Sequence, residues 1–157
     1  MAFTLFPRRT TPPPQPAPVQ QAAQPAPGGI TLLLAEDDMV LQELYLDRFV
    51  QSGFTVLQAY DGEQALQVFR EHPETSLILL DLMLPKISGY DVLAQIRMGS
   101  VNPKVPVIIV SALADIDDQA RGLQLGANEY ITKGEMLPSA VIEKIKTYAV
   151  PVQGPTS

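Results

Sequence analysis

Cysteine is absent from the chain, which excludes disulfides, thiolate zinc sites and cysteine nucleophiles. Histidine occurs once. That residue, His72, precedes Pro73 where a helix is expected to end and reads as a C-terminal cap, not a catalytic group. Basic residues are also scarce, with 11 Lys and Arg against 17 Asp and Glu for a net charge of −6. Arg8 and Arg9 are the only charges before Gly28, so nine basic residues face seventeen acidic ones thereafter. An acidic body without a basic stripe argues against a nucleic-acid partner, because neutralising phosphates needs clustered Lys and Arg. No apolar run approaches the roughly 18 residues that would span a bilayer. The segment Met1–Arg9 lacks the order of a signal peptide, since its apolar stretch is short and precedes its basic pair. A cytoplasmic protein that does not insert into membranes is the expectation.

What is present divides unevenly. Eight of the fifteen prolines lie in residues 1–28, among Gln, Ala and Thr. Each proline fixes φ and removes an amide donor, so neither helix nor sheet can propagate there. Residues 1–29 are expected to be an extended, partly polyproline II tether. A docking peptide built on Pro12-Pro13-Pro14 or on Phe3 to Phe6 is the sharper alternative. A single folded domain is expected over residues 30–149, and a short tail over 150–157.

Within 30–149, strand-like and helix-like patterns alternate. Apolar strands are expected over Ile30–Ala35, Phe54–Ala59, Ser76–Asp81, Val105–Val110 and Ala127–Ile131. Between and after them the spacing predicts helices over Asp38–Ser52, Glu63–Glu71, Ser88–Met98, Asp115–Leu125 and Pro138–Ala149. The first helix presents Val40, Leu41, Leu44, Tyr45 and Phe49 at helical spacing, with Asp38 as its N-cap, a metal contact being the alternative for that residue. The second turns Ala65, Leu66 and Phe69 inward. Asp61-Gly62 makes a turn, Gly89 is expected at positive φ, and Pro85 stiffens its loop. Strands apolar on both sides call for helices on both faces and hence a parallel sheet. Right-handed crossovers then give a doubly wound α/β (βα)₅ fold. In such sheets ligands gather at the C-terminal strand ends.

The residues expected at those ends carry the chemistry. Glu36, Asp37 and Asp38 follow the first strand, Asp81 ends the third, Ser111 the fourth and Lys133 the fifth. Carboxylates brought this close repel one another unless a cation joins them. With no His or Cys nearby the site offers oxygen only, which suits Mg²⁺ or Mn²⁺. A dication beside a carboxylate and a fixed ammonium makes a phosphoryl-transfer site, in which Asp81 on the central strand is the nucleophile candidate.

From these residues the chain resembles the receiver domains of two-component response regulators over about Thr31 to Ala149. The likeness rests on the acidic pair after the first strand, on Asp-Leu-Met-Leu-Pro-Lys-Ile-Ser-Gly-Tyr (Asp81–Tyr90) and on Val-Ile-Ile-Val-Ser-Ala (Val107–Ala112). Leu-Gly-Ala-Asn-Glu-Tyr-Ile-Thr-Lys (Leu125–Lys133) completes it, with 30 residues from Asp81 to Ser111 and 22 from Ser111 to Lys133. The resemblance implies a flavodoxin-like five-stranded parallel sheet in the order 2-1-3-4-5. It implies that Asp81 accepts a phosphoryl group from a histidine kinase or phosphotransfer protein. Asp37 would then ligate Mg²⁺, Glu36 would act through water, and the Met83 main-chain carbonyl would be a further ligand. Ser111 and Lys133 would bond the phosphoryl oxygens, and Tyr130 would be an aromatic switch that responds to Ser111.

Two departures from the family stand out. Its lysine is usually followed by a cis proline, whereas Gly134 follows Lys133, so a mobile or trans loop is expected. Two residues beyond Asp81 and Ser111 stand Met83 and Leu113, apolar side chains expected to shield the phosphoaspartate from water. An aspartate-nucleophile phosphatase of the haloacid dehalogenase type is the enzymatic alternative, but Met83 stands where its second acid would be. A receiver-like module that ignores phosphate is the other alternative, although such a module would not need the acidic residues. The chain is thus expected to be no enzyme beyond its own phosphorylation and dephosphorylation. Only Pro-Val-Gln-Gly-Pro-Thr-Ser follows Val150, so no output domain is expected. Phosphorylation would instead reshape the face made by residues 115–125, 127–131 and 138–149 for a protein target or a switched homodimer.

Overall fold

The computed structural model describes residues 29–99 and 101–149; the readings for the two tails lie outside them, apart from Gly29. Five strands alternate with five helices: β1 (Thr31–Ala35), α1 (Met39–Gln51), β2 (Thr55–Ala59), α2 (Gly62–Glu71) and β3 (Leu77–Leu80), then α3 (Gly89–Met98), β4 (Val107–Ser111), α4 (Ile116–Gln124), β5 (Glu129–Thr132) and α5 (Pro138–Tyr148). All strand pairs are parallel, in the order β2-β1-β3-β4-β5. Among the described residues no helix is long and apolar enough to cross a membrane.

Side chains two apart on a strand share a face, and the sheet divides its core accordingly. Leu33, Ile78, Leu80, Val107 and Ile109 pack with Leu66, Phe69, Leu93 and Ile96 of α2 and α3. On the reverse, Leu32, Leu34, Leu77, Leu79 and Ile108 pack with Tyr45 and Phe49 of α1 and with Val141 and Ile145 of α5. Three of the five helices begin where short polar side chains satisfy free amides: Asp38 accepts from Val40 and Leu41, Asp61 from Gln64, and Ser88 from Asp91. His72 is the C-cap of α2.

Three local expectations need correction. Val40 and Leu44, read as part of the α1 core stripe, are 75% and 44% exposed. The buried face of α1 is Gln42, Tyr45 and Phe49, at i, i+3 and i+7. Asp61-Gly62 is the N-terminal start of α2 itself. Gly89 does not adopt positive φ; Lys86, Gly53, Gly126 and Gly134 do. Its need for glycine is steric: a Cβ there would lie 2.2 Å from the Asp81 carbonyl oxygen.

Gln42 was not anticipated as a core residue. Its amide nitrogen donates to the carbonyls of Leu34, Glu36 and Ala59 at 3.2, 3.1 and 2.9 Å. The amide oxygen accepts from Gln58 at 3.0 Å. These carbonyls lie at the ends of β1 and β2, where ladder bonding stops and buried groups need another donor. One side chain thereby closes the sheet at the point where Glu36 and Asp37 emerge. Gln42→Leu, which keeps volume but removes the donor, is expected to cost about 1–3 kcal/mol, measured as a lower urea midpoint at unchanged slope.

Candidate functional site

Parallel register determines which carboxylates meet. Ala35 pairs with Leu80 across β1 and β3, so Glu36 and Asp81, one residue further on, leave the sheet side by side. The Asp81 amide still donates to the Ala35 carbonyl at 3.0 Å. Ser111 pairs with Thr132, and the Lys133 amide donates to the Ser111 carbonyl at 2.8 Å. Lys133 therefore enters from β5, two strands away from Asp81, and its long side chain spans the gap.

The Lys133 ammonium bonds Glu36 Oε2 at 2.7 Å and Asp81 Oδ2 at 2.8 Å. Glu36 and Asp81 are 3% and 4% exposed, so neither carboxylate has water as its main partner. The other oxygens are also occupied, Asp81 Oδ1 by the Met83 amide and Glu36 Oε1 by the Asp38 amide, both at 3.1 Å. Burial holds the Glu36 carboxyl above its usual pKa, although Lys133 and the Asp38 amide work against that shift. Burial alone would lower the Lys133 ammonium, but the hydrogen bonds and charges of Asp81 and Glu36 overcome it and raise its pKa. Lys133 thus stays charged at neutral pH.

Asp37 differs from Glu36 and Asp81 in facing solvent. One oxygen from each of Glu36, Asp37 and Asp81 lies within 4.8 Å of the others. Three carboxylates with a single ammonium leave negative charge to spare, and the donor set is oxygen only. The residues present therefore fit a hard dication such as Mg²⁺ or Mn²⁺.

The loop between β3 and α3 is tightly held. The Gly62 amide donates to the Pro85 carbonyl at 3.1 Å, and a Cβ at Gly62 would come within 2.1 Å of the Ile87 carbonyl oxygen. Lys86, at φ 67°, pairs with Asp61 at 3.1 Å and Glu63 at 3.6 Å. Met83, on this loop, keeps its side chain 58% exposed. On the other side Ser111 is fully buried, and its hydroxyl accepts the Leu113 amide at 3.3 Å. The Tyr130 hydroxyl donates to the Leu113 carbonyl at 2.7 Å, and burial raises its pKa. Asp38 uses its carboxylate to cap α1 and stands outside the group of Glu36, Asp37 and Asp81. After Lys133 the chain turns through Gly134 at φ 88°, with no cis peptide bond among the described residues. The trans form was one of the two expectations for that loop.

Glu36, Asp37, Asp81 and Lys133 are brought together directly, with Met83 touching Asp81 through its amide. Ser111 and Tyr130 join through Leu113 on the neighbouring loop. The sequence reading missed Gln42 and Gly89 as supports of this site. Gln42 had a signal, its phase three residues before Tyr45 and seven before Phe49. Gly89 had none beyond its place in a motif.

Residues 32–146 match the family model of the response regulator receiver domain. Among curated relatives, the probable transcriptional regulator ycf27 of Cyanophora paradoxa is 34% identical over 126 residues, covering 80% of this chain and 50% of that protein. The transcriptional regulatory protein CiaR of Streptococcus pneumoniae is 40% identical over 104 residues, covering 66% and 45%. The chain thus spans half or less of the length of these relatives. Among solved structures, a response regulator described as putative from Chloroflexus aurantiacus superposes with a TM-score of 0.71 at 28% identity, covering 76% of this chain and 97% of that one. The chemotaxis protein CheY4 of Vibrio cholerae has the same fold at 18% identity, with a TM-score of 0.71 over 76% of this chain and 98% of that one. With its parallel five-stranded sheet, its acidic strand ends and its lysine just past the fifth strand, the chain belongs to the response regulator receiver domain family.

Proposed function

We propose that the chain is a cytoplasmic phosphoacceptor switch in which Asp81 takes a phosphoryl group from a histidine on a kinase or phosphotransfer protein. The observation that carries this reading is the Asp81 carboxylate, buried and held from both sides by the Lys133 ammonium and the Met83 amide. A carboxylate oxygen so fixed needs little reorientation to attack phosphorus. Its new P–O bond forms as the donor's P–N bond breaks, and the departing imidazole nitrogen keeps the electron pair and takes a proton from solvent. In this reading Lys133 follows charge onto the phosphoryl oxygens, while the Ser111 hydroxyl, which accepts from the Leu113 amide, turns to donate its own hydrogen to one of them. Glu36, Asp37 and Asp81, with the Met83 carbonyl, would hold Mg²⁺ or Mn²⁺. When bound, that ion neutralises the phosphoryl oxygens and lowers the repulsion a second anion would meet.

The donor is expected on another protein. His72 caps the C-terminus of α2 and bonds Glu74 at 2.9 Å, and α2 runs back from the site to the opposite edge of the sheet. Among the exposed side chains on the segments that carry the site are several apolar ones: Met39 and Val40 in the first turn of α1, Met83, and Leu137 before α5. Such side chains support a protein donor over a small polar one. The proposed role is that of a switch and not of a turnover enzyme, its only reactions being its own phosphorylation and dephosphorylation. Its readout is a protein surface or a switched homodimer formed by α4, β5 and α5. The relatives named as transcriptional regulators exceed this chain in length, and a nucleic-acid role is not carried over to this acidic domain.

Two outcomes are expected. With acetyl phosphate and Mg²⁺, intact mass should rise by one phosphoryl group in the wild type and stay unchanged in Asp81→Asn or with EDTA; equal labelling of both proteins would remove Asp81 as the acceptor. No labelling of either would favour a phosphate-independent interaction module. In Met83→Asn, phosphoryl loss after removal of donor should be several-fold faster, because a polar side chain admits water that the thioether excludes; an unchanged lifetime would remove the shielding role.

A further inference from the structure

Helix α4 has little of its own to hold it. Gly122 is its single buried residue, while Ile116 and Leu123 are 82% and 47% exposed. Its N-cap, Asp115, makes no side-chain capping bond. A helix with so few buried apolar groups opens at low free-energy cost unless something outside it intervenes.

Tyr90 intervenes. Its hydroxyl donates to Asp118 Oδ1 at 2.9 Å, with the Asp118 carbonyl at a longer 3.4 Å. The Arg121 guanidinium lies 4.0 Å from the centre of the same ring, within cation–π range. Asp118 and Arg121 are three residues apart and so share one side of the helix. Tyr90 is therefore gripped at its hydroxyl and across its face at once. The ring is itself anchored: Tyr90 is 9% exposed and follows Gly89, which is pressed against the Asp81 main chain. Burial, together with Asp118, pushes the phenol up to about 12, so it keeps its proton and goes on donating at neutral pH.

A second connection reaches α4 from the site. The Ser111 hydroxyl accepts the Leu113 amide, and the Leu113 carbonyl accepts the Tyr130 hydroxyl. A Cβ at Gly122 would lie 3.2 Å from the Tyr130 ring. Any movement of Ser111 towards a group on Asp81 thus disturbs Leu113, and Leu113 precedes α4 by three residues. The same helix is held by Tyr90 from α3, on a branch that does not pass through Ser111.

We propose that the Tyr90 clasp on Asp118 and Arg121 is a restraint that holds α4 in the arrangement the structure shows, and that a phosphoryl group on Asp81 has to work against it. Tyr90 is in this sense a positioning residue, acting on the site through α4. The inference rests on the phosphoacceptor reading above. A ligand that favours the released arrangement has to work against the clasp, so removing the clasp strengthens its apparent binding. A clasp that only stabilises the fold would not do this.

The test uses the full chain as wild type, Tyr90→Phe and Arg121→Gln, each first shown to be folded by its urea transition. Without any phosphoryl group, amide hydrogen exchange over residues 116–125 is expected to quicken in both variants while α2 is unaffected. Titration with beryllium fluoride and Mg²⁺, followed by fluorine NMR, is then expected to show about two- to tenfold tighter binding in both, the range one ordinary hydrogen bond supplies. Unchanged exchange in α4, or affinity equal to or weaker than wild type, overturns the clasp. A wild type that binds no beryllium fluoride overturns the phosphoacceptor reading itself, and the regulatory role of the clasp falls with it.

Discussion

The strand-end site depends on one ammonium held between two buried carboxylates. Glu36 and Asp81 emerge from adjacent strands with almost no access to water, and without Lys133 they would be two neighbouring charges in a medium that screens poorly. Removing one partner from such a buried set is far costlier than its net contribution to stability would suggest. Lys133 thus does two things with one contact. It makes two neighbouring buried carboxylates tolerable, and it leaves the Asp37 carboxylate, which faces solvent, outside the pair.

That arrangement follows from the sheet. Because β1 and β3 are registered at Ala35 and Leu80, the next residues along both strands leave together. Gln42 supplies the donor that the end of β1 lacks, and Gly89 lets the third helix begin against the Asp81 main chain without a side chain between. Neither residue offers a reacting group. Both fix the main chain beside an acidic residue, Gln42 at Glu36 and Gly89 at Asp81, so substituting them would be felt as a displacement of those carboxylates.

The same economy appears in α4, the helix proposed to move. Helix α4 is held by a tyrosine from α3, a glycine contact and the loop around Leu113, not by an apolar face of its own. Few, directional contacts make an element that can take two positions with a modest difference in free energy. The core under α2 and α3, dense with Leu, Ile and Phe, cannot behave that way.

Much of this was legible in residue order. Continuous apolar strands alternating with amphipathic segments can bury themselves in few ways, so the parallel doubly wound sheet and the elements carrying Glu36, Asp37, Asp81, Ser111 and Lys133 followed from local pattern. Helix phase was less legible in α1: an apolar count favoured Val40 and Leu44, but hydrogen bonding at the strand ends drew Gln42 inward, and a satisfied buried amide outweighs the exposure of two apolar side chains. Gly89 could be read as a turn residue from its neighbours alone, because the atom that excludes a side chain there belongs to Asp81, eight residues earlier. The sequence by itself determined which groups stand at the strand ends, since strand length and side-chain chemistry are local. Only the tertiary structure decided that Lys133 would be shared by Glu36 and Asp81 and that Tyr90 would grip α4, because both contacts depend on the register and spacing of elements far apart in the chain.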